Sequence, residues 1–286
     1  MKLAVLGDIH GNYVALQACL AAAERMQADG LVFLGDYVTD CPYPQKTMDL
    51  IYDCRLRYPC WCIRGNREEY LLRYQACPTG WSYSSNSGSL LYTFENLRPE
   101  DLAFFASLPG TATIEMAPCP ALTLCHGSPH DSRQWLLPDT EISQTVLQNL
   151  KTPYLLCAHT HHPMRFEAWG KTLINCGSVG VPTNGQTMAQ FALLEATDHA
   201  WASQIVSVPY DIDQIVADFA TSGLSAKAFM WAKSTIKLLQ TGDNRFMQLL
   251  GLATEKACQD QEGADASNIP ERYWEAAARE LGIITG

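Results

Sequence analysis

No apolar stretch in this chain approaches the roughly 18 residues that a membrane-crossing helix requires, so a membrane partner is not expected. Charge is scarce, at 17% of residues, and unbalanced: 20 basic against 30 acidic side chains give a formal net charge of −10. An acidic chain of this kind is unsuited to general nucleic-acid binding, and an anionic substrate would need a local positive centre. Internal repeats and low-complexity tracts are absent. The eleven cysteines, an odd number, show no paired spacing. That pattern favours reduced thiols in a cytoplasm over a disulfide framework. Cys60-x-Cys62 lies inside an apolar run without a second pair and reads as two core residues. The start of the chain runs straight into an apolar strand and lacks a three-part signal peptide, so a cytoplasmic protein is expected.

What is present is a chain of 286 residues, 47% hydrophobic. It can bury a large core, as one big domain or one domain with a small appendage. Strands are expected at 2–6, 31–34 and 60–63, with helices between them at 13–28 and 44–58. This β-α-β-α-β order implies a parallel sheet with right-handed crossovers. A Ser/Gly/Asn/Pro-rich loop at 76–89 precedes two short helices near 89–97 and 99–107, the second opened by Pro99. Strands follow at 111–116 and 121–124, a helix near 139–150, and a strand at 154–158. Antiparallel strands are expected at 164–169, 171–176, 188–195 and 201–208. From Asp211 the pattern turns helical: Asp211 caps one helix, Ser225 a second, Asp243 to Cys258 forms a third, and Pro270 opens the last. The polar stretch from Gln259 to Asn268 reads as a linker. The expected organisation is a main α/β domain over 1–210 and a helical extension over 211–286, serving as lid, packing element or homodimer contact.

Five of the early apolar runs end in residues that ligate metals: Asp8-x-His10, Gly35-Asp36, Gly65-Asn66, His126-Gly127 and His159-x-His161. Asp8 and His10, two apart at the end of a strand, are expected to point the same way. In an open α/β sheet ligands gather at that edge, and a carboxylate beside an imidazole suits a divalent ion. A satisfied buried histidine or a capping aspartate accounts for any one of these ends. Five in this order are hard to obtain that way.

The order resembles the calcineurin-like metallophosphoesterase superfamily, whose pattern runs D-x-H, GD, GN-[HC]-[ED], H and GH-x-H. The likeness covers about residues 1–210. Asp8-Ile-His-Gly-Asn12, His126-Gly-Ser-Pro129 and Asn175-Cys-Gly-Ser178 look like the bacterial branch of small phosphodiesterases and an asymmetric diadenosine tetraphosphate hydrolase. The resemblance implies a four-layer α/β/β/α sandwich. It also implies two divalent ions, manganese first, with iron, zinc or cobalt accepted by the same mixed N/O ligands. Asp8, His10 and His161 would hold the first ion, Asn66, His126 and His159 the second, and Asp36 would bridge them. A water acidified between the ions would attack phosphorus in line. Two carboxylates against two divalent ions leave the site near +2, the local positive centre that the acidic chain needs.

Two departures bear on the chemistry. The family's GN-H-[ED] reads Gly65-Asn66-Arg67-Glu68, and the Gly before the last His pair is Ala158. Arg67 cannot donate a proton near neutral pH; with Asn66 it is a candidate for substrate binding, as a clamp on phosphate. A surface arginine is the plain alternative. Asp40 has no assigned role, and His130 and His162 adjoin the motifs without one. His199 reads as a surface residue. The expected activity is hydrolysis of a small phosphodiester or a nucleotide polyphosphate. The alternatives are a phosphomonoesterase, including a serine/threonine protein phosphatase, and a catalytically weak metal-binding scaffold.

Overall fold

The computed structural model describes residues 1–197, 199–260 and 269–285. The first half alternates strand and helix: β1 (Lys2–Leu6), α1 (Tyr13–Arg25), β2 (Gly30–Phe33), α2 (Pro44–Arg57), β3 (Cys60–Cys62) and α3 (Asn66–Ala76). Helices α4 (Gly88–Glu95) and α5 (Pro99–Ser107) then lead to β4 (Thr111–Met116) and β5 (Cys119–Cys125). Next come α6 (Glu141–Asn149), β6 (Tyr154–Cys157), β7 (Met164–Ala168), β8 (Lys171–Asn175), β9 (Ala189–Ala196) and β10 (Trp201–Val208). Helices α7 (Ile212–Thr221), α8 (Ser225–Thr241), α9 (Phe246–Asp260) and α10 (Glu271–Glu280) close the chain. Local signals explain several starts. Asn12 caps α1 by accepting from the Ala15 amide, Pro44 and Pro99 occupy first turns, and Asp211 caps α7 through the Gln214 amide. Ser225 is not the cap of α8; it is the first helical residue, after Leu224.

The strands form two five-stranded sheets, in the orders β10-β9-β1-β2-β3 and β4-β5-β6-β8-β7. β1, β2 and β3 pair in parallel, and β9 joins β1 antiparallel with β10 outside it. In the second sheet β5, β6 and β8 run parallel while β4 and β7 are antiparallel edges. The stretch at 171–176 is thus not purely antiparallel: β8 pairs parallel with β6 on one side and antiparallel with β7 on the other.

The layering follows from the two-residue period of β1. Leu3 and Val5 pack with Val32 and Leu34 against Leu122, Leu124, Leu156 and Ile174, between the sheets. Ala4 and Leu6 point the other way, into a core with Leu16, Cys19, Met48 and Ile51 from α1 and α2. On the far side Leu147 and Leu150 meet Leu155, Cys157 and Leu173. Helix, sheet, sheet and helix therefore stack in four layers. β3 is an edge strand, which leaves Cys60 and Cys62 half-buried rather than in the core, and both are free thiols.

The expected break near residue 210 falls between β10 and α7. Beyond it, α9 and α10 carry a core of their own around Leu249, Ala253, Tyr273 and Trp274. A second cluster ties Ile215, Phe219, Leu224 and Leu238 to Cys41, Tyr92 and Val181 of the sandwich. α8 is broken at Phe229, whose φ of 38° and ψ of −113° are not helical. The linker expected at 259–268 overlaps the end of α9 at Gln259 and Asp260, and its remainder lies outside the described residues.

Candidate metal centre

The loops that leave β1, β2, β3, β5 and β6 meet at one end of the sandwich. β1 stops at Leu6, so Asp8 and His10 converge by another route than strand alternation. Both sit in the left-handed region, at φ 51° and 52°, as do Asp36 at 53°, His159 at 66° and His161 at 57°. L-residues enter that region at a cost, and such residues cluster at functional sites where their surroundings hold them. The holding groups are visible. Glu68, fully buried, accepts from the amides of Asp36 (2.8 Å), Tyr37 (2.9 Å) and Gly65 (2.8 Å), fastening the β2 loop to the start of α3. Burial first, and the nearby Asp36 charge, raise the Glu68 pKa to about 7. Ser178 donates to the Asp8 carbonyl (2.8 Å), Asn12 to the Gly180 carbonyl (2.9 Å), and Asn175 to the Ala158 carbonyl (2.6 Å). These contacts give the Asn12 and Asn175-to-Ser178 motifs a bracing role. Gly7 has no room for a side chain, because a Cβ there would stand 2.8 Å from that of Ala158.

Asp8 Oδ1 is buried and has no hydrogen-bond partner. It lies 3.5 Å from His161 Nε2, 3.8 Å from His126 Nε2 and 4.0 Å from His10 Nε2. Each of these rings donates elsewhere through Nδ1: His161 to the Val181 carbonyl (2.7 Å), His126 to the Leu34 carbonyl (2.7 Å), and His10 to Asp40 Oδ2 (2.9 Å). In the neutral imidazoles the Nε2 lone pairs must then face inward. His10 and His161 point theirs at each other across 3.2 Å, and His126 Nε2 is 3.0 Å from the Asn66 carbonyl oxygen Oδ1. Asp36 Oδ2 stands between the two groups, 3.6 Å from His10 Nε2 and 3.4 Å from His126 Nε2. Converging acceptors repel one another unless a cation sits among them. The donor set therefore fits divalent metal. Among the described residues, the ligand atoms of Asp8, His10 and His161 lie within 4.8 Å of one another, as do those of Asp8, Asp36 and His126, so Asp8 adjoins both clusters.

His159 differs from the other three. Its Nε2 donates to the Arg133 carbonyl (2.9 Å), which leaves Nδ1 with the lone pair, and its ring centroid is 5.1 Å from that of His126. Its amide donates to Asp8 Oδ2 (2.9 Å), so the residue also positions that carboxylate. Burial lowers the pKa of His159 and of His161 to about 4, which keeps both rings neutral as ligands must be. At His126 burial acts in the same direction, but the carboxylates of Asp36 and Asp8 outweigh it and raise the pKa to about 10. The proton so attracted occupies the position a metal ion would take. Burial pushes the Asp8 carboxyl up to about 6. It opposes ionisation at Asp36 as well, where His126, His10 and Arg67 prevail and hold the group well below the usual carboxylate range.

Arg67 is no surface arginine. Its side chain enters the cleft over the site, with Nη2 3.1 Å from Asp40 Oδ2 and Nε 4.0 Å from Asp36 Oδ2. Its amide donates to Asp36 Oδ1 (2.9 Å). Asp40, unassigned by the sequence reading, is the hub of this side. It accepts from His10, Arg67, Thr39 (3.2 Å), Ser89 (3.3 Å) and the Trp231 indole (2.8 Å). Burial opposes its charge, but Arg67 and these donors keep it well below the usual range. Its position four residues past Asp36 was the available signal, whereas Trp231, 191 residues away, had none. His130, His162 and His199 are exposed, and none of them lines the cleft.

The model of the calcineurin-like phosphoesterase family matches residues 1–163. An uncharacterised protein of Methanocaldococcus jannaschii is 26% identical over 251 residues, 80% of this chain and 97% of that protein. A PP2A-like serine/threonine-protein phosphatase of Candida albicans is 33% identical over 95 residues, 28% of this chain and 23% of that one. Among solved structures, a metallophosphoesterase from Sphaerobacter thermophilus superimposes with a TM-score of 0.68 at 23% identity, covering 85% of this chain and 100% of that one. A hypothetical protein from Pyrococcus horikoshii gives 0.71 at 23% identity, covering 85% and 99%.

Proposed function

The chain belongs to the calcineurin-like phosphoesterase family, and from that premise we propose that it hydrolyses phosphodiesters or nucleotide polyphosphates with two divalent ions. The observation that carries the reading is the unpartnered Asp8 Oδ1 facing three imidazole nitrogens whose other ring nitrogens donate outward. Asp8, His10 and His161 would hold one ion and Asn66, His126 and His159 the other, with Asp36 between the two groups. Manganese is the first choice for this mixed N/O set, with iron, zinc or cobalt acceptable. Bound there, such ions supply Lewis-acid polarisation of phosphoryl oxygens and a water acidified toward neutrality.

The remaining roles belong to the chain. The carbonyls of Leu34, Val181 and Arg133 and the Asp40 carboxylate fix which nitrogen of each histidine faces the ions. Arg67 stands ready to take a phosphoryl oxygen, its charge placed by Asp40. With arginine where the family pattern has histidine, no imidazole acid protonates the leaving oxygen from that position. Leaving groups that are weak bases, aryl oxides and phosphates, are therefore favoured over alkoxides.

The test compares kcat/KM for bis(p-nitrophenyl) phosphate, a dinucleoside polyphosphate and a phosphoserine peptide in Mn²⁺-loaded and chelated protein. The reading expects metal-dependent turnover of the first two and little of the third. Phosphoserine cleaved as well as the aryl diester would replace it with the protein-phosphatase reading. Metal binding without turnover of any would leave a scaffold.

A further inference from the structure

Above the ligand cluster the cleft has a volume of about 390 Å³, more room than a phosphoryl group fills, and its upper wall is apolar. At the His159 end stands Trp135, edge-on to that ring with centroids 6.5 Å apart. At the Asp40 end the helical tail contributes Trp231, Phe246 and Met247. Trp231 is pinned by its bond to Asp40, and its ring lies 4.6 Å from that of Phe246 at 31°. Trp135 is 53% exposed and Met247 64%. Large apolar side chains left in solvent around one cleft mark a binding surface more often than an accident of packing.

We propose that Trp135, Trp231, Phe246 and Met247 form a subsite for a flat aromatic group of the substrate, a nucleobase, whose attached phosphate reaches the metal ligands. This rests on the phosphoesterase reading and adds the substrate's recognition element to it. The shape of the wall favours a base over an acyl chain. Indole and phenyl faces offer broad π surfaces for stacking, and the cleft is open rather than a narrow tunnel. Polar atoms of Thr183 and Asn244 on the same lining are available to the edge of a base. Arg67 supplies the adjacent positive charge for the phosphate. On this account residues beyond 210 share with Trp135 in setting specificity, while the candidate metal ligands all lie before residue 210.

Calorimetric titration of AMP and of ribose 5-phosphate into the full-length, Mn²⁺-loaded chain tests the subsite by binding rather than turnover, because the two probes share the sugar phosphate and differ in the base. AMP is expected to bind about tenfold more tightly, in keeping with one stacked base. Trp135→Ala and Met247→Ala should each remove at least half of that advantage on a logarithmic scale. Trp169→Ala, at an exposed tryptophan outside the cleft, should leave it intact. Equal affinities, no detectable AMP binding, or an advantage untouched by both cleft variants would overturn the subsite. The phosphoesterase reading fails separately, by absence of metal-dependent hydrolysis of bis(p-nitrophenyl) phosphate whatever the AMP result.

Discussion

Asp36 faces both ligand groups through Oδ2 and holds the Arg67 amide through Oδ1. Asp36→Asn keeps the shape and one acceptor but removes the shared negative charge. Turnover should fall by more than the about 10–100-fold that loss of an outer-sphere partner costs, and one ion should be lost. Metal content and kcat measured together check this. Asp40→Asn probes the outer layer. His10 should lose its anionic partner and Arg67 its anchor, weakening Mn²⁺ affinity by about 10–100-fold while the fold persists, as titration of the apoprotein reads directly. The identity of every candidate ligand was legible in the sequence, because each follows a short apolar run. How they converge was not. The left-handed backbone at Asp8, His10, Asp36, His159 and His161 depends on braces such as Glu68 and Ser178, and no local propensity encodes it.

At the level of elements, most boundaries follow from capping and periodicity, as Asn12, Pro44, Pro99 and Asp211 show. The partners of the late strands are a different matter. β9 and β10 join the first sheet beside β1, while β7 and β8 join the second, and four similar apolar runs carry no mark of that choice. The kink in α8 is also invisible locally, and it lies where α4 and the loop before it pack closely on α8. A Cβ on Gly88 would collide with the Lys227 carbonyl oxygen, and Ser85 donates to nothing in α8 but accepts from the Met230 amide at 2.9 Å. Gly88→Ala should therefore push α4 and α8 apart. Overpacking of this kind costs about 1–3 kcal/mol, which urea unfolding would register as a lower midpoint with an unchanged slope. An unaltered midpoint would mean that the two helices slide apart freely.

For the whole molecule, the helices after residue 210 are bound to the sandwich through Ile215, Phe219, Leu224 and Leu238, packed on Cys41, Tyr92 and Val181. A chain ending near 210 should expose that apolar surface and aggregate, as light scattering would show. A soluble, metal-binding truncation would make the tail an independent appendage. Metal should also stabilise the whole fold, because the candidate ligands come from five separate loops. A ligand that binds only the native state at 100 times its dissociation constant adds about 2.7 kcal/mol, so a chelator should lower Tm visibly. The account depends above all on the seat around Asp8 Oδ1. The anomalous-scattering map of a crystal grown with Mn²⁺ tests it most directly. Two peaks are predicted, one among Asp8, His10, Asp36 and His161 and one among Asp36, Asn66, His126 and His159. A map with no peak among these side chains, at a Mn²⁺ concentration where the protein is saturated in solution, would contradict the account.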